Sequence, residues 1–168
     1  MDYVRVFIEV PKGSRNKYEF DKTTGRFLLD RMLFSSVHYP ADYGFILETL
    51  AEDGDELDCL VLAGDPTFPG CEIRAFPVAM LEMWDEKGKD EKIICVSRGD
   101  PLWGWVTEYD HLPLHLTREI AHFFKIYKEL ENKPVKIGAW HSKEKAWEVI
   151  HASRERYCSC KNNRCPVS

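Results

Sequence analysis

The sequence lacks any long hydrophobic run. None of its apolar stretches approaches the roughly 18 residues needed to cross a bilayer. Its first five residues, Met1 to Arg5, include an acid and lack the apolar block of a signal peptide. We therefore expect a cytoplasmic protein without a membrane span.

The sequence also lacks an excess of positive charge. Its 23 lysines and arginines face 28 aspartates and glutamates, which gives a net charge of −5. Proteins that bind nucleic acids neutralise phosphates with a surface rich in lysine and arginine, so we expect no nucleic-acid partner. A phosphate ligand of this chain would need local basic residues or bound cations.

Internal repeats, low-complexity stretches and linkers are absent before residue 158. A chain of 168 residues with 44% hydrophobic residues can bury one substantial core. We expect a single domain over residues 1–157, followed by a mobile, cysteine-containing tail over residues 158–168.

The six cysteines fall into two groups. Cys59, Cys71 and Cys95 stand singly in apolar segments, where we expect buried, reduced thiols. The others crowd into the tail: Cys158, Cys160 and Cys165. A zinc site formed with His151 is disfavoured because seven helical residues between His151 and Cys158 span about 10 Å. We expect reduced thiols there, with metal binding or intersubunit crosslinking as alternatives.

Short apolar segments, the first of them with clear alternation, predict a series of strands. They cover residues 3–10, 17–20, 26–31, 43–47, 57–62, 73–83, 92–96 and 135–140. Turn-forming residues ending in Gly25 join the second and third strands as a hairpin, and Pro77 predicts a bulge or an edge. Helical spacing predicts one helix from Pro113 to Leu130 and another that follows Ser142. This order is typical of a compact barrel with helices outside.

The sharpest chemical signal is an acidic segment that runs into an apolar strand. Asp53, Asp55, Glu56 and Asp58 lie within six residues. Such runs are usually solvated loops. Asp58, however, begins a strand whose two faces both look buried, where a carboxylate needs a partner or a metal. The spacing excludes an EF-hand, because Asp58 stands where that loop requires glycine.

A second acidic segment covers residues 85–92 and by itself predicts a polar hairpin turn. Beside the first, it supplies carboxylate oxygens without a nearby histidine or cysteine, which favours Mg²⁺ or Mn²⁺ over Zn²⁺. Several basic and phenolic residues are, taken singly, ordinary surface or core residues: Lys17, Arg31, Tyr43, Lys92, Tyr127 and Lys128. By default Glu9 and Glu19 face solvent.

Taken in order, these residues resemble the family I soluble inorganic pyrophosphatases. The matching elements are Glu9-Val-Pro, Lys17-Tyr-Glu19, Asp30-Arg31, Tyr39-Pro-x-x-Tyr43-Gly, Asp53-Gly-Asp55-Glu-Leu-Asp58-Cys, Asp85-Glu86-x-Gly-x-Asp90-x-Lys92 and His122-Phe-Phe-x-x-Tyr127-Lys128-x-Leu-Glu. The resemblance extends, in order, from about residue 3 to about residue 157. The element from Asp53 to Cys59 is a specific signature of the family.

The resemblance implies an α+β, β-dominated fold: a closed five-stranded OB-type β-barrel with two main α-helices packed outside. It implies hydrolysis of inorganic pyrophosphate to two orthophosphates, with several Mg²⁺ ions per site and Mn²⁺ as the alternative ion. It also implies the homohexamer that is usual for short, prokaryote-type members. Ile126 departs from the pattern, since relatives often have histidine at this position near subunit contacts.

The resemblance further assigns roles to residues. Asp53, Asp58, Asp85 and Asp90 would ligate metal, and Glu9, Glu19 and Glu86 would order the waters around it. The phosphates would be bound by Lys17, Arg31, Tyr43, Lys92, Tyr127 and Lys128. Asp55 lies between two ligand aspartates, where it can accept the proton of the attacking water as a general base.

Two other functions fit part of the sequence. OB-type barrels commonly bind single-stranded nucleic acid, but they do so with exposed aromatics along a basic groove, and the shared face here is acidic. A structural metal-binding protein without turnover would not explain why phosphate-type donors accompany the acids. Phosphate-release assays with and without Mg²⁺ distinguish these functions.

Overall fold

The structure, a computed structural model, describes residues 2–163. Its strands and helices, in chain order, are β1 (Val4–Val10), β2 (Asn16–Asp21), β3 (Arg26–Met32), β4 (Asp42–Ile46), β5 (Asp58–Leu62), β6 (Glu72–Asp85), β7 (Gly88–Lys89), β8 (Lys92–Val96), α1 (Leu114–Ile126), β9 (Lys136–Ser142) and α2 (Lys143–Asn163). Short 3₁₀ turns cover Tyr109–His111 and Glu129–Glu131.

Five strands close into a ring. The order is β1, β4, β5, β8 and β6, and β6 pairs back to β1. The pairs around this ring are antiparallel except β5 with β8, which run parallel. The strand β9 pairs with β6 outside the ring, and β2 and β3 form a separate hairpin. The expected fold class, a β-dominated ring of five strands with two helices outside, is confirmed.

The apolar pattern of the sequence explains which faces are buried. In β1, Val4, Val6, Ile8 and Val10 are buried, as their alternation predicts. The strands β5 and β8 are covered on both faces and accordingly read as continuous apolar runs. One apolar cluster includes residues of α1 and another includes residues of α2. The predicted bulge at Pro77 is confirmed by a shift of register between β6 and β8.

The glycine that follows Tyr43 in the family-like motif is required for a steric reason. A Cβ atom on Gly44 would lie 1.9 Å from the carbonyl oxygen of Phe7 on the neighbouring strand. Only glycine lets β1 and β4 approach this closely.

The helices differ from the sequence prediction at their ends. The helix α1 stops at Ile126, and Leu130 lies in the following 3₁₀ turn with 63% of its surface exposed. The predicted extension of this helix to Leu130 is therefore wrong, and Tyr127, which lies just after the helix, is buried. The helix α2 begins directly after Ser142, as predicted, and buries Ala146, Ile150 and Ser153.

The helix α2 continues unbroken beyond residue 157, where the sequence predicts a tail. Cys158 and Cys160 lie on it, while the rest of the predicted tail, with Cys165, lies outside the described residues. Because the helix does not end early, His151 and Cys158 stay seven helical residues apart, as the argument against a zinc site requires. Among the described residues, no helix is long and apolar enough to cross a membrane.

The buried cysteines show one relationship that the sequence did not reveal. Cys59 and Cys95 are fully buried free thiols, as predicted, but their Sγ atoms lie 3.3 Å apart across β5 and β8. Cys71 is only partly buried.

Candidate active site

A cleft of about 540 Å³ lies where β5 and β8 begin. These strands run parallel, so their first residues, Asp58 and Lys92, are neighbours. Every site residue predicted from the sequence lines this cleft: Glu9, Lys17, Glu19, Arg31, Tyr43, Asp53, Asp55, Asp58, Asp85, Glu86, Asp90, Lys92, Tyr127 and Lys128. Residues from at least six elements and two loops are thus brought to one place.

The centre of the cleft is a lysine held between two aspartates. The ammonium of Lys92 bonds to Asp58 and lies 2.6 Å from Oδ1 of Asp90, and its side chain is only 1% exposed. Burial by itself lowers the pKa of Lys92. The negative charges of Asp58 and Asp90 raise it by more, so the pKa lies above its ordinary value. Lys92 is therefore a fixed positive charge.

Tyr43 supports the same group. Its phenol donates a 2.6 Å hydrogen bond to Oδ2 of Asp58. Burial raises the pKa of Tyr43 well above its ordinary value. The phenol therefore stays protonated and acts as a donor to the carboxylate.

A second lysine holds the other acidic segment. The ammonium of Lys128 lies 2.9 Å from Asp85 and 3.5 Å from Glu86. Burial alone would raise the pKa of Asp85, but the hydrogen bond from Lys128 helps to lower it below its ordinary value. Lys128 and Asp85 therefore form an ion pair in which both side chains are charged.

The hairpin of β2 and β3 contributes further charges. Lys17 lies 2.6 Å from Glu19, and Arg31 bonds to Asp30. The Nε of Arg31 lies 2.8 Å from Oε1 of Glu131, whose side chain is 6% exposed. This contact is an ion pair without a well-aligned hydrogen bond, so Glu131 places a negative charge beside the guanidinium.

The loop before β5 carries two of the predicted aspartates. Asp53 accepts a 3.1 Å hydrogen bond from the backbone N–H of Asp55, and partial burial raises the pKa of Asp53. The carboxylate of Asp55 is 68% exposed and lies 3.4 Å from the ammonium of Lys87. The carboxylate of Asp55 is therefore open to solvent.

The donor set of the cleft suits a hard divalent cation. Its lining contains carboxylates but neither histidine nor cysteine. Burial raises the pKa of Glu9 to about 7 and that of Asp90 to about 6, and a nearby cation would favour the charged forms of both. Within residues 2–163, no three acidic, histidine or cysteine side chains form a ready-made metal cage; Lys92 and Lys128 hold several of the carboxylates instead.

Some residues of the cleft were not predicted as site residues. They are Phe20, Lys22, Asp30, Phe45, Glu56, Lys87 and Lys133. Asp30 and Glu56 lie inside motifs already noted, so the site residues beside them in the sequence could have indicated that they line the cleft. Lys22, Lys87 and Lys133 lie in turns or loops, where a lysine is ordinary and gives no signal.

Comparison with known proteins identifies the family. The family model described as inorganic pyrophosphatase matches residues 6–158. An inorganic pyrophosphatase of Methanosarcina mazei is 55% identical over 152 residues, which are 90% of each chain.

Solved structures agree with this match. The inorganic pyrophosphatase of Thermus thermophilus superposes with a TM-score of 0.89 at 44% identity, over 92% of this chain and 91% of that one. That of Helicobacter pylori gives a TM-score of 0.90 at 41% identity, over 93% and 94%. The chain belongs to the inorganic pyrophosphatase family.

Proposed function

We propose that this chain hydrolyses inorganic pyrophosphate to two orthophosphates by direct attack of a water, with Mg²⁺ or Mn²⁺ bound in the cleft. The observation that carries the proposal is the meeting of a carboxylate cluster with two charged lysines in one cleft: the buried Lys92 and the partly buried Lys128. Acids alone would repel pyrophosphate, and bases alone could not hold a divalent cation. Both are needed for this substrate.

Four aspartates would hold the cations: Asp53, Asp58, Asp85 and Asp90. The neighbouring Glu9, Glu19 and Glu86 would order water around them. Bound divalent cations would supply a water of lowered pKa and screen the charge of the substrate. Magnesium needs only one or two carboxylates per ion because it keeps several waters, so the spread of these acids suits it.

Asp55 would take the proton from the attacking water at its exposed carboxylate. Asp55 lies on the loop between Asp53 and Asp58. It would therefore act as a base beside the proposed metal ligands without being a metal ligand itself. The nearby ammonium of Lys87, 3.4 Å away, keeps a positive charge close to the carboxylate.

Six donors would bind and orient the phosphates: Lys17, Arg31, Tyr43, Lys92, Tyr127 and Lys128. Arg31 can contact a phosphate through two N–H groups. Lys92 and Lys128 would stabilise the charge that develops on the leaving phosphate. Both already point into the cleft, where carboxylates hold them.

We further propose a cytoplasmic homohexamer that binds neither nucleic acid nor membrane. The acidic loop beside the cleft supports the exclusion of nucleic acid, since a phosphate backbone needs a basic surface. The hexamer rests on the resemblance to short, prokaryote-type relatives. Light scattering of the purified protein would measure the mass of the assembly.

The test is phosphate release from pyrophosphate as Mg²⁺ is raised from zero. We expect saturable release that disappears with excess chelator. Asp55→Asn should abolish most of it, and Asp110→Asn, an exposed aspartate outside the cleft lining, should not. A folded protein that releases no phosphate with either Mg²⁺ or Mn²⁺ would overturn the proposal and favour metal binding without turnover.

A further inference from the structure

The aspartate loop, residues 50–57, carries Asp53 and Asp55 on an exposed backbone. Its ends are closed by local hydrogen bonds: the N–H of Ala51 donates to the carbonyl of Asp55 at 2.7 Å, and the N–H of Leu57 donates to Oγ1 of Thr49 at 3.0 Å. Residues 52–55 are exposed to solvent. The loop therefore has a defined shape, but its position depends on what holds it from outside.

The helix α2 holds the first residue of this loop. The N–H of Leu50 donates to the carbonyl of Ser153 at 3.0 Å, and Nε of Arg156 donates to the carbonyl of Leu50 at 2.9 Å. The same guanidinium donates from Nη2 to the hydroxyl of Ser153 at 3.1 Å. Both backbone polar groups of Leu50 are thus bound by one turn of a helix that lies 106 residues away in sequence.

The other end of the loop is held on β4, where the N–H of Ile46 donates to the carbonyl of the buried Leu57 at 2.9 Å. The side-chain contacts to the exposed part of the loop are weaker. Lys22 pairs with Glu56 and Lys87 pairs with Asp55, but these lysine side chains are 57% and 63% exposed. Exposed ion pairs contribute little and are screened by salt. Ser153, by contrast, is fully buried, and the planar guanidinium of Arg156 binds two acceptors at a fixed geometry.

We infer that Arg156 is a positioning residue for the aspartate loop. Through Leu50 it fixes the backbone from which Asp53 and Asp55 extend, so that less ordering is needed when a divalent cation binds. The inference rests on the proposed function of the cleft. It assigns a part in metal affinity to a residue in the second half of α2 that contacts neither metal nor substrate.

The test compares Arg156→Met with Arg154→Met. Methionine keeps much of the apolar stem but has no donor. Arg154 lies on the same helix, with its guanidinium 5.9 Å from the ring of Trp147. We expect Arg156→Met to weaken Mg²⁺ binding about 10-fold, at the lower end of the effect of residues that orient metal ligands. Arg156→Lys should recover part of the affinity, and Arg154→Met should match wild type.

Magnesium binding is measured by calorimetry, beside the Mg²⁺ dependence of phosphate release and a thermal melt. A folded Arg156→Met with wild-type Mg²⁺ affinity would overturn the inference, and so would an equal loss in Arg154→Met. If Arg156→Met does not fold, Arg156→Lys and Arg154→Lys replace the pair, and Arg156→Lys must still bind Mg²⁺ more weakly than Arg154→Lys, by less than 10-fold. Calorimetry needs no turnover, so failure of the proposed hydrolysis is distinguished from failure of this inference.

Discussion

Tyr43 and Asp58 are joined by a 2.6 Å hydrogen bond across β4 and β5. The phenol oxygen also lies 3.5 Å from the ammonium of Lys92, which bonds to the same carboxylate. A tyrosine and a lysine, both buried, therefore set the direction of Asp58.

Replacing Tyr43 with phenylalanine should weaken Mg²⁺ binding about 10-fold, because the carboxylate of Asp58, a proposed metal ligand, loses a partner that orients it. The ring packing is kept, so the free energy of unfolding should fall by only about 1 kcal/mol. Calorimetry and urea unfolding measure the two effects. Tyr109→Phe, a ring packed on Trp140 outside the cleft lining, is the control. Equal Mg²⁺ affinities in the two variants would contradict the role given to Tyr43.

Asp55→Asn should lower kcat by roughly 10²–10⁴, the usual contribution of a general base. The change is nearly isosteric, and Asp55 is exposed, so folding and Mg²⁺ affinity should be close to wild type. Asp58→Asn should instead lower Mg²⁺ affinity together with the rate, since it removes the charge of a proposed metal ligand. A metal titration of both variants distinguishes them. Near-normal kcat of Asp55→Asn at saturating Mg²⁺ would show that the proton leaves by another route.

Replacing Lys92 with methionine should destabilise the protein by about 3–5 kcal/mol when divalent cations are absent, because Asp58 and Asp90 lose their buried partner. Added Mg²⁺ should then stabilise the variant more than it stabilises wild type, since it supplies the missing positive charge. Urea unfolding in chelator measures the loss of stability, and urea unfolding in Mg²⁺ measures the stability that the ion restores. Lys145→Met removes an exposed pair with Glu148 and should change stability by less than about 0.5 kcal/mol. A comparably small loss for Lys92→Met would refute this account.

Calcium should inhibit in place of supporting turnover, because it prefers longer bonds and more ligands than Mg²⁺. Phosphate release should fall as Ca²⁺ is added at constant Mg²⁺, and excess Mg²⁺ should restore it. Equal turnover with either ion would show that the cleft does not require magnesium geometry.

The sequence predicted the ring and the cleft because their signals are local or ordered along the chain. Alternation fixed the buried face of β1, and the acidic segments marked both loops that meet at Lys92. Helical spacing could not show that the α-helix ends before Leu130, since a 3₁₀ turn has a similar short-range pattern. The contact between the thiols of Cys59 and Cys95 and the contact of Arg156 with Leu50 depend on which elements become neighbours. A local sequence pattern carries no such information.

The parallel pairing of β5 and β8 also directs both strands away from the acids. They end side by side at Leu62 and Val96, about 13 Å from Asp58 and Lys92 at the rise of a strand. Beyond Leu62, Asp65 and Pro66 are exposed. We therefore expect a peptide tag inserted between Asp65 and Pro66 to lie one strand length from the cleft, between backbone positions that Asp100 and Asp42 hold at Gly64 and Thr67.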